Sequence, residues 1–344
     1  MNPELQRNLW LEASPRRAAW AGVVVIGIYA AVTLSLQGEP VSELLRALGG
    51  AGAFIFFASA LVWGVRLAGQ SVASEIGERT WDFQRLSALD PWTMTWGKLF
   101  GATSLAWVVG LAGLLMAVVA YTVDAGPGPA LQFAVASIAL AVLLQAAGFA
   151  AALVGVRKAR AEGRLNSLRS AAGGIFSVVF VLFAIGVASQ IGGLFFGGIN
   201  DFAPVETGGE ARFWGAEIDR NLFTTLSLVA FAAWAMIAAW RLMRLELQKR
   251  NGPLFWTAFL LFTAFWAAGQ AEADVRGTVN GVEVDAGALL RWGAAAAIFL
   301  AGAYVAAFSE PPTASACAAS PAGALGGSRR PHPCCPAWCW GRSP

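Results

Sequence analysis

Runs of about 20 apolar residues recur along this chain, and that repetition narrows its fold more than any single motif. Lipid offers no hydrogen-bond partner to a backbone N–H or C=O, so a crossing segment must satisfy its own, and a helix of about 20 residues does so across roughly 30 Å of hydrocarbon. The runs fall at 19–36, 48–69, 99–123, 131–156, 174–196, 222–243, 254–270 and 286–308. They predict an all-α polytopic transmembrane helical bundle of about eight spans, six to eight at the limits. The run at 254–270 is the shortest and reads as a re-entrant or tilted segment. The first run ends without a cleavage-site pattern and reads as a retained anchor. Strand-type alternation is absent, which argues against a barrel. Only 13% of residues are charged against 57% hydrophobic, about half the charged share of a soluble domain.

Basic loops resist translocation, so the placement of Lys and Arg gives the direction of insertion. With the N-terminus inside, the inner segments hold Arg7, Arg16 and Arg17, then Arg79, Arg85 and Lys98, then Arg157, Lys158, Arg160, Arg164 and Arg169, then Arg241, Arg244, Lys249 and Arg250. The outer loops hold only Arg46, Arg212, Arg220 and Arg276, beside acidic groups including Asp201, Glu206, Glu210, Glu217 and Asp219. The net charge of +3 is therefore a topology signal, and nucleic-acid binding has no support.

Chemistry is scarce. Residues 1–308 contain neither Cys nor His, so no disulfide, thiol nucleophile or imidazole serves the folded part. The hydrolase and zinc-protease patterns are missing. Gly97-Lys98 resembles the end of a phosphate loop, but Leu99 follows where Ser or Thr is needed and Trp92 occupies the place of the first Gly. Apart from Arg66, Arg241 and Arg291 near span ends, the spans are free of charge, which disfavours an ion-coupled carrier. Gln145 and Gln190 are the notable amides within spans and read as helix–helix glue. No enzyme activity and no cofactor is expected.

Three segments flank or join the spans in an organised way. Residues 1–18 read as a short amphipathic helix in the inner interface, with Leu5 and Leu9 forming an apolar stripe beside Glu4, Arg7 and Glu12, broken at Ser14-Pro15. In the outer loops, Phe213-Trp214 suits the headgroup level. Asn280-Gly281 between alternating Val residues signals a hairpin. Residues 19–308 form the membrane domain. Residues 309–344 change character, with all four cysteines, the only histidine and seven of the fifteen prolines. That composition cannot bury a core and reads as a disordered tail, with an out-of-frame terminus as the sharper version. His332, Cys334, Cys335 and Cys339 are soft ligands, but without the paired spacing of a structural zinc site.

The most polar stretch between spans is SEIGERTWDFQRLSALDPWTMTWGK, Ser74 to Lys98, with seven charged side chains. Val72, Ile76, Phe83 and Leu86 fall on one side of a helix, with Glu75, Glu78, Asp82 and Arg85 on the rest and Arg79 within the apolar stripe. Pro91 ends or kinks that helix, and a second short one begins there and leads through Lys98 into the third span.

An acidic–basic pair, Thr80, Leu86 at a helical turn, Pro91, and Lys98 at the mouth of the next span together resemble the cytoplasmic loop of ABC-2 type permeases, the membrane subunits of ABC transporters. Glu78, Thr80, Pro91 and Lys98 match that pattern, and Arg79 stands where the family has Gly. The N-terminal helix is similar to the family's elbow helix. The likeness covers roughly the first 125 residues and is architectural beyond them. It implies a coupling helix that docks in a separate ABC ATPase subunit, with Glu75, Glu78, Arg79, Asp82 and Arg85 as polar contacts and Trp81 and Phe83 as apolar anchors. It also implies a second permease subunit, in a homo- or heterodimer, and a multi-pass place in a bacterial-type inner membrane. On that resemblance the chain is a non-catalytic permease subunit that couples ATP hydrolysis by its partner to substrate export. The competing reading is a membrane-embedded structural or assembly factor that holds a cytoplasmic protein without transport.

Overall fold

The structure is a computed structural model and describes residues 3–12, 14–77, 90–161, 209–249, 251–270, 276–279 and 282–309. Two compact units divide the chain, Met1–Ala211 with Glu217–Gly252 and Arg212–Ala216 with Pro253–Pro344.

The first unit is a helical bundle. Helix α1 covers Pro3–Glu12, and α2, Pro15–Ser35, starts at once after it with Ser14 as its N-cap and Pro at its first position. The Arg17–Glu12 ion pair, 3.0 Å, bridges the break. A long run follows: α3 (Val41–Phe56), a π-helical segment (Phe57–Trp63) and α4 (Gly64–Gly77). Helix α5 (Pro91–Ala102) is separated from α6 (Ser104–Ala125) by Thr103 alone. Gly126, at φ 91, is in turn the only residue between α6 and α7 (Pro127–Ala161). Helix α8 (Arg220–Glu246) completes the unit.

Among the described residues, five helical stretches are long and apolar enough to cross a membrane: Pro15–Ser35, Val41–Val72, Ser104–Ala125, Pro127–Arg157 and Arg220–Glu246. The chain is thus a multi-pass helical membrane protein. Leu254–Gln270 and Leu289–Gly302 are shorter apolar helices. The predicted span at 174–196 and the tail at 310–344 lie outside the described residues. The third span differs from expectation at its start. Residues 99–102 belong to α5, because Thr103 departs from helical geometry while its hydroxyl donates to the Leu99 carbonyl at 2.6 Å.

Small residues let the helices of this bundle approach where lipid supplies no hydrophobic drive for association. At the α3–α6 crossing a Cβ on Gly52 would strike the Gly113 carbonyl oxygen, and one on Gly113 would lie 2.6 Å from the Gly52 oxygen. Gly49 repeats the pattern against Ala120 at 2.5 Å. Three buried hydroxyls are satisfied within their own helices: Thr95 donates to Pro91, Ser137 to Phe133 and Thr225 to Asn221, each at 2.7 Å.

Two apolar cores result. One gathers Phe56, Leu61, Leu114, Phe133, Leu140 and Leu228. The other gathers Val72, Met94, Leu99, Phe149, Leu153 and Met243. The second core draws on the far ends of α4, α7 and α8, which run past the length a bilayer requires. The 35 residues of α7 extend about 52 Å against a hydrocarbon core of about 30 Å.

In the second unit, α9 (Leu254–Gln270) and α10 (Ala286–Ser309) pack together, with Gly302 admitting the Leu260 side chain. Strands Arg276–Val279 and Val282–Asp285 pair antiparallel with Val279 opposite Val282, the hairpin predicted from Asn280-Gly281. Trp214, at φ 53, and Gly215, at φ 82, form the turn between strands Glu210–Phe213 and Ala216–Asp219. Phe213 and Trp214 pack on α9: the Trp214 ring stacks on Phe265 at 5.1 Å, and the Trp214 backbone N–H donates to the Gly269 carbonyl at 3.0 Å.

Candidate functional site

The sequence directs attention to the stretch between the second and third spans. Glu75 lies in the last turn of α4. Glu78, Arg79, Trp81, Asp82, Phe83 and Arg85 lie outside the described residues. What the structure describes is the frame on either side of them.

On the far side, α5 opens as the residues dictate. Asp90 takes an extended backbone, its carboxylate accepts from the Trp92 N–H at 3.0 Å, and Pro91 fills the first helical position where no N–H is needed. The second short helix predicted after Pro91 is therefore present. Lys98 is not at the mouth of a span but in the middle of this separate helix, and it is fully buried. Its Nζ lies 3.2 Å from Glu4 Oε1 of α1. Arg7 Nη1 reaches the same oxygen at 3.3 Å.

The contact is made possible by Gly97 and Gly101, four residues apart on one face of α5. A Cβ on Gly97 would lie 2.6 Å from the Glu4 Cβ, and one on Gly101 would lie 2.6 Å from the Asn8 Cβ. Asn8 Nδ2 then donates to the Gly97 carbonyl at 3.1 Å. Here Gly97-Lys98-Leu99-Phe100-Gly101 acts as a small-xxx-small packing motif, in which two helix backbones meet closely around one buried ion pair.

The geometry adds to the amphipathic reading of α1 the direction of its faces: Glu4 is 6% exposed, while Leu9 is 37% and Trp10 80% exposed. The polar side is turned inward because it finds its partners there, and Trp10 is left on the surface, as suits a helix at a membrane interface. Pro3, Gln6, Arg7 and Trp10 line a shallow depression on that outer face.

Aromatic rings gather at the same end of the bundle. Trp240 meets Trp92 at 6.1 Å, Trp92 meets Trp96 at 5.8 Å, and Trp96 stacks on Phe100 at 4.5 Å. The Arg244 guanidinium lies 5.0 Å over the Trp240 ring. Indole rings beside arginine are typical of the headgroup level, where one edge is apolar and the other wet. Glu246, buried at the end of α8, pairs with Arg157 of α7 at 3.8 Å.

Deeper in the bundle, Gln145 of α7 is fully buried, donates from Nε2 to the Ala60 carbonyl at 2.8 Å and accepts the Trp107 indole N–H at 2.9 Å. It joins α6, α7 and the π-helical segment, the role in helix association expected of it. Gln190 lies outside the described residues. Among the described residues no group of three or more His, Cys, Asp or Glu is placed to hold a metal ion.

In the sequence Glu4 reads only as part of the polar side of α1 and Gly97 only as part of an incomplete phosphate loop; the signal for the close contact is the G-x-x-x-G spacing of Gly97 and Gly101. No protein-family model, characterised protein or solved structure matches the chain.

Proposed function

We propose that the chain is the permease subunit of an ABC transporter of the ABC-2 type, in which the segment between the second and third spans docks on a separate ATPase subunit through Glu75, Glu78, Arg79, Trp81, Asp82, Phe83 and Arg85, and ATP hydrolysis there drives export. The observation that carries the reading is the fixed frame around that element. On one side α4 continues the second span without a break. On the other, α5 is clamped to the N-terminal helix by the Glu4–Lys98 pair. A push on a segment held between two such helices passes into the spans as a rigid-body shift and is not absorbed locally. The missing phosphate loop fits a division of labour in which a partner supplies ATP chemistry.

The test uses membranes holding this chain together with the ATPase encoded beside it. Introducing Glu78→Lys and Arg85→Glu should uncouple ATP turnover from the presence of the permease. Unchanged turnover in both variants contradicts the coupling assignment. An adjacent gene without any ATPase favours the non-transporting assembly factor instead.

A further inference from the structure

The second span changes helical register midway, and its sequence contains no proline to account for it: 41–77 is Pro-free. Sharp changes in a helix have identifiable causes, and the π-type turn is one of them. At its end the Gly64 N–H donates to the Ser59 carbonyl, five residues back, where a regular α-helix would direct it to Ala60. The Ala60 carbonyl instead receives the Gln145 amide at 2.8 Å, in a position shielded from solvent. Gln145 is itself held by the Trp107 indole at 2.9 Å. Ser59 hydroxyl donates to the Ile55 carbonyl at 2.6 Å, within the same turn. Room for the amide exists because residue 64 is glycine, since a Cβ there would lie 2.5 Å from Gln145 Nε2.

We propose that Gln145 is a latch that holds this span in its π register. The amide supplies Ala60 with the donor that the α register would take from Gly64, so the extra-wide turn loses nothing while Gln145 is engaged. When the amide withdraws, Gly64 N–H and Ala60 C=O can join and the span relaxes to continuous α-helix. One residue then passes out of the turn. Helix α4 rotates by about 100° and moves by about 1.5 Å relative to α3, the displacement of a single helical residue. The device needs no cofactor and does not depend on the ATPase reading.

Cysteine crosslinking in the full chain reads the register, since residues 1–308 carry no Cys and only the four tail cysteines need replacement by serine. A Cβ on Gly69 would lie 3.9 Å from the Ala152 Cβ, within disulfide reach. The Gly69→Cys/Ala152→Cys pair therefore reports the π register. The α register carries residue 68 into the place of residue 69, so Ala68→Cys/Ala152→Cys reports it. Adding Gln145→Leu should shift the ratio of the two crosslinks about fivefold toward the second pair, the worth of one net hydrogen bond. Gly64→Ala, which leaves Gln145 in place but crowds its amide, should shift it the same way. Unchanged ratios in both variants overturn the proposal. If Gln145→Leu abolishes both crosslinks through loss of fold, Gly64→Ala decides: a shift supports the latch and a constant ratio overturns it.

Discussion

Lys98 and Glu4 stand 94 positions apart in sequence and 3.2 Å apart in space, and both side chains are almost wholly withdrawn from solvent. A buried pair of this kind costs much desolvation, so its net worth is small while the penalty for breaking it is large. Lys98→Ala or Glu4→Ala should each destabilise the protein, by up to about 3–5 kcal/mol, because each takes from a buried charge its buried counter-charge; Lys98→Ala should cost less than that limit, since Arg7 still reaches Glu4 at 3.3 Å. The double replacement Glu4→Leu/Lys98→Met should recover most of that loss. Thermal unfolding in detergent across the double-mutant cycle checks both, and additive losses would show that the pair is not the unit.

The backbone approach beneath that pair is equally open to test. Gly97→Val places branched carbons where Glu4 Cβ already lies, and the neighbour is the stem of a side chain anchored by Lys98, so it cannot swing aside. Helix α1 should detach from α5 while the spans remain folded. Limited proteolysis near Glu12 should accelerate by about tenfold or more, as about 1.4 kcal/mol of lost docking requires, overpacking of this kind costing about 1–3 kcal/mol.

At the α3–α6 crossing the obstruction is main chain. Gly52→Ala and Gly113→Ala should each cost about 2 kcal/mol or more, because the added carbon meets a carbonyl oxygen that moves only with its helix. Gly22→Ala and Gly27→Ala on α2 meet nothing within 4 Å and should stay within about 0.5 kcal/mol of the parent. A comparison of melting temperatures among the four substitutions distinguishes close packing from general intolerance of glycine loss.

The Arg46–Asp124 pair, 3.4 Å long with side chains 49% and 62% exposed, is the counterpart of Glu4–Lys98 in a wet setting. Asp124→Asn should cost less than about 1 kcal/mol, and added salt should shrink the difference further. A loss as large as that of Lys98→Ala would mean that this end is shielded from solvent.

Much of the spanning pattern was legible because hydrocarbon imposes length and polarity limits that composition alone reveals: α2, α9 and α10 begin or end within a few residues of the apolar runs. Local chemistry was legible too, in the Asp90-Pro91 helix start and the Asn280-Gly281 hairpin. Interactions between distant segments were not. Amphipathicity told that α1 has two faces, but which one turns inward depends on Lys98 and on the glycine groove of α5, and neither is near it in sequence. The π segment carries no marker of its own, since its cause, Gln145, lies 85 residues from Ala60. Thr103 breaks the third span by a change of dihedral that many threonines in helices never make.

One residue joins α6 to α7. Gly126, held at φ 91 with its N–H donating to the Thr122 carbonyl and its own carbonyl accepting from Ala130, offers the two spans no slack at that end. They are the arms of a pair of tongs closed at the joint. Any parting between them must open from the opposite tips, and because α7 outreaches α6 by thirteen residues, 35 against 22, its tip sweeps the wider arc. Arg157, near that tip and paired with Glu246, is where the leverage of the longer arm is greatest.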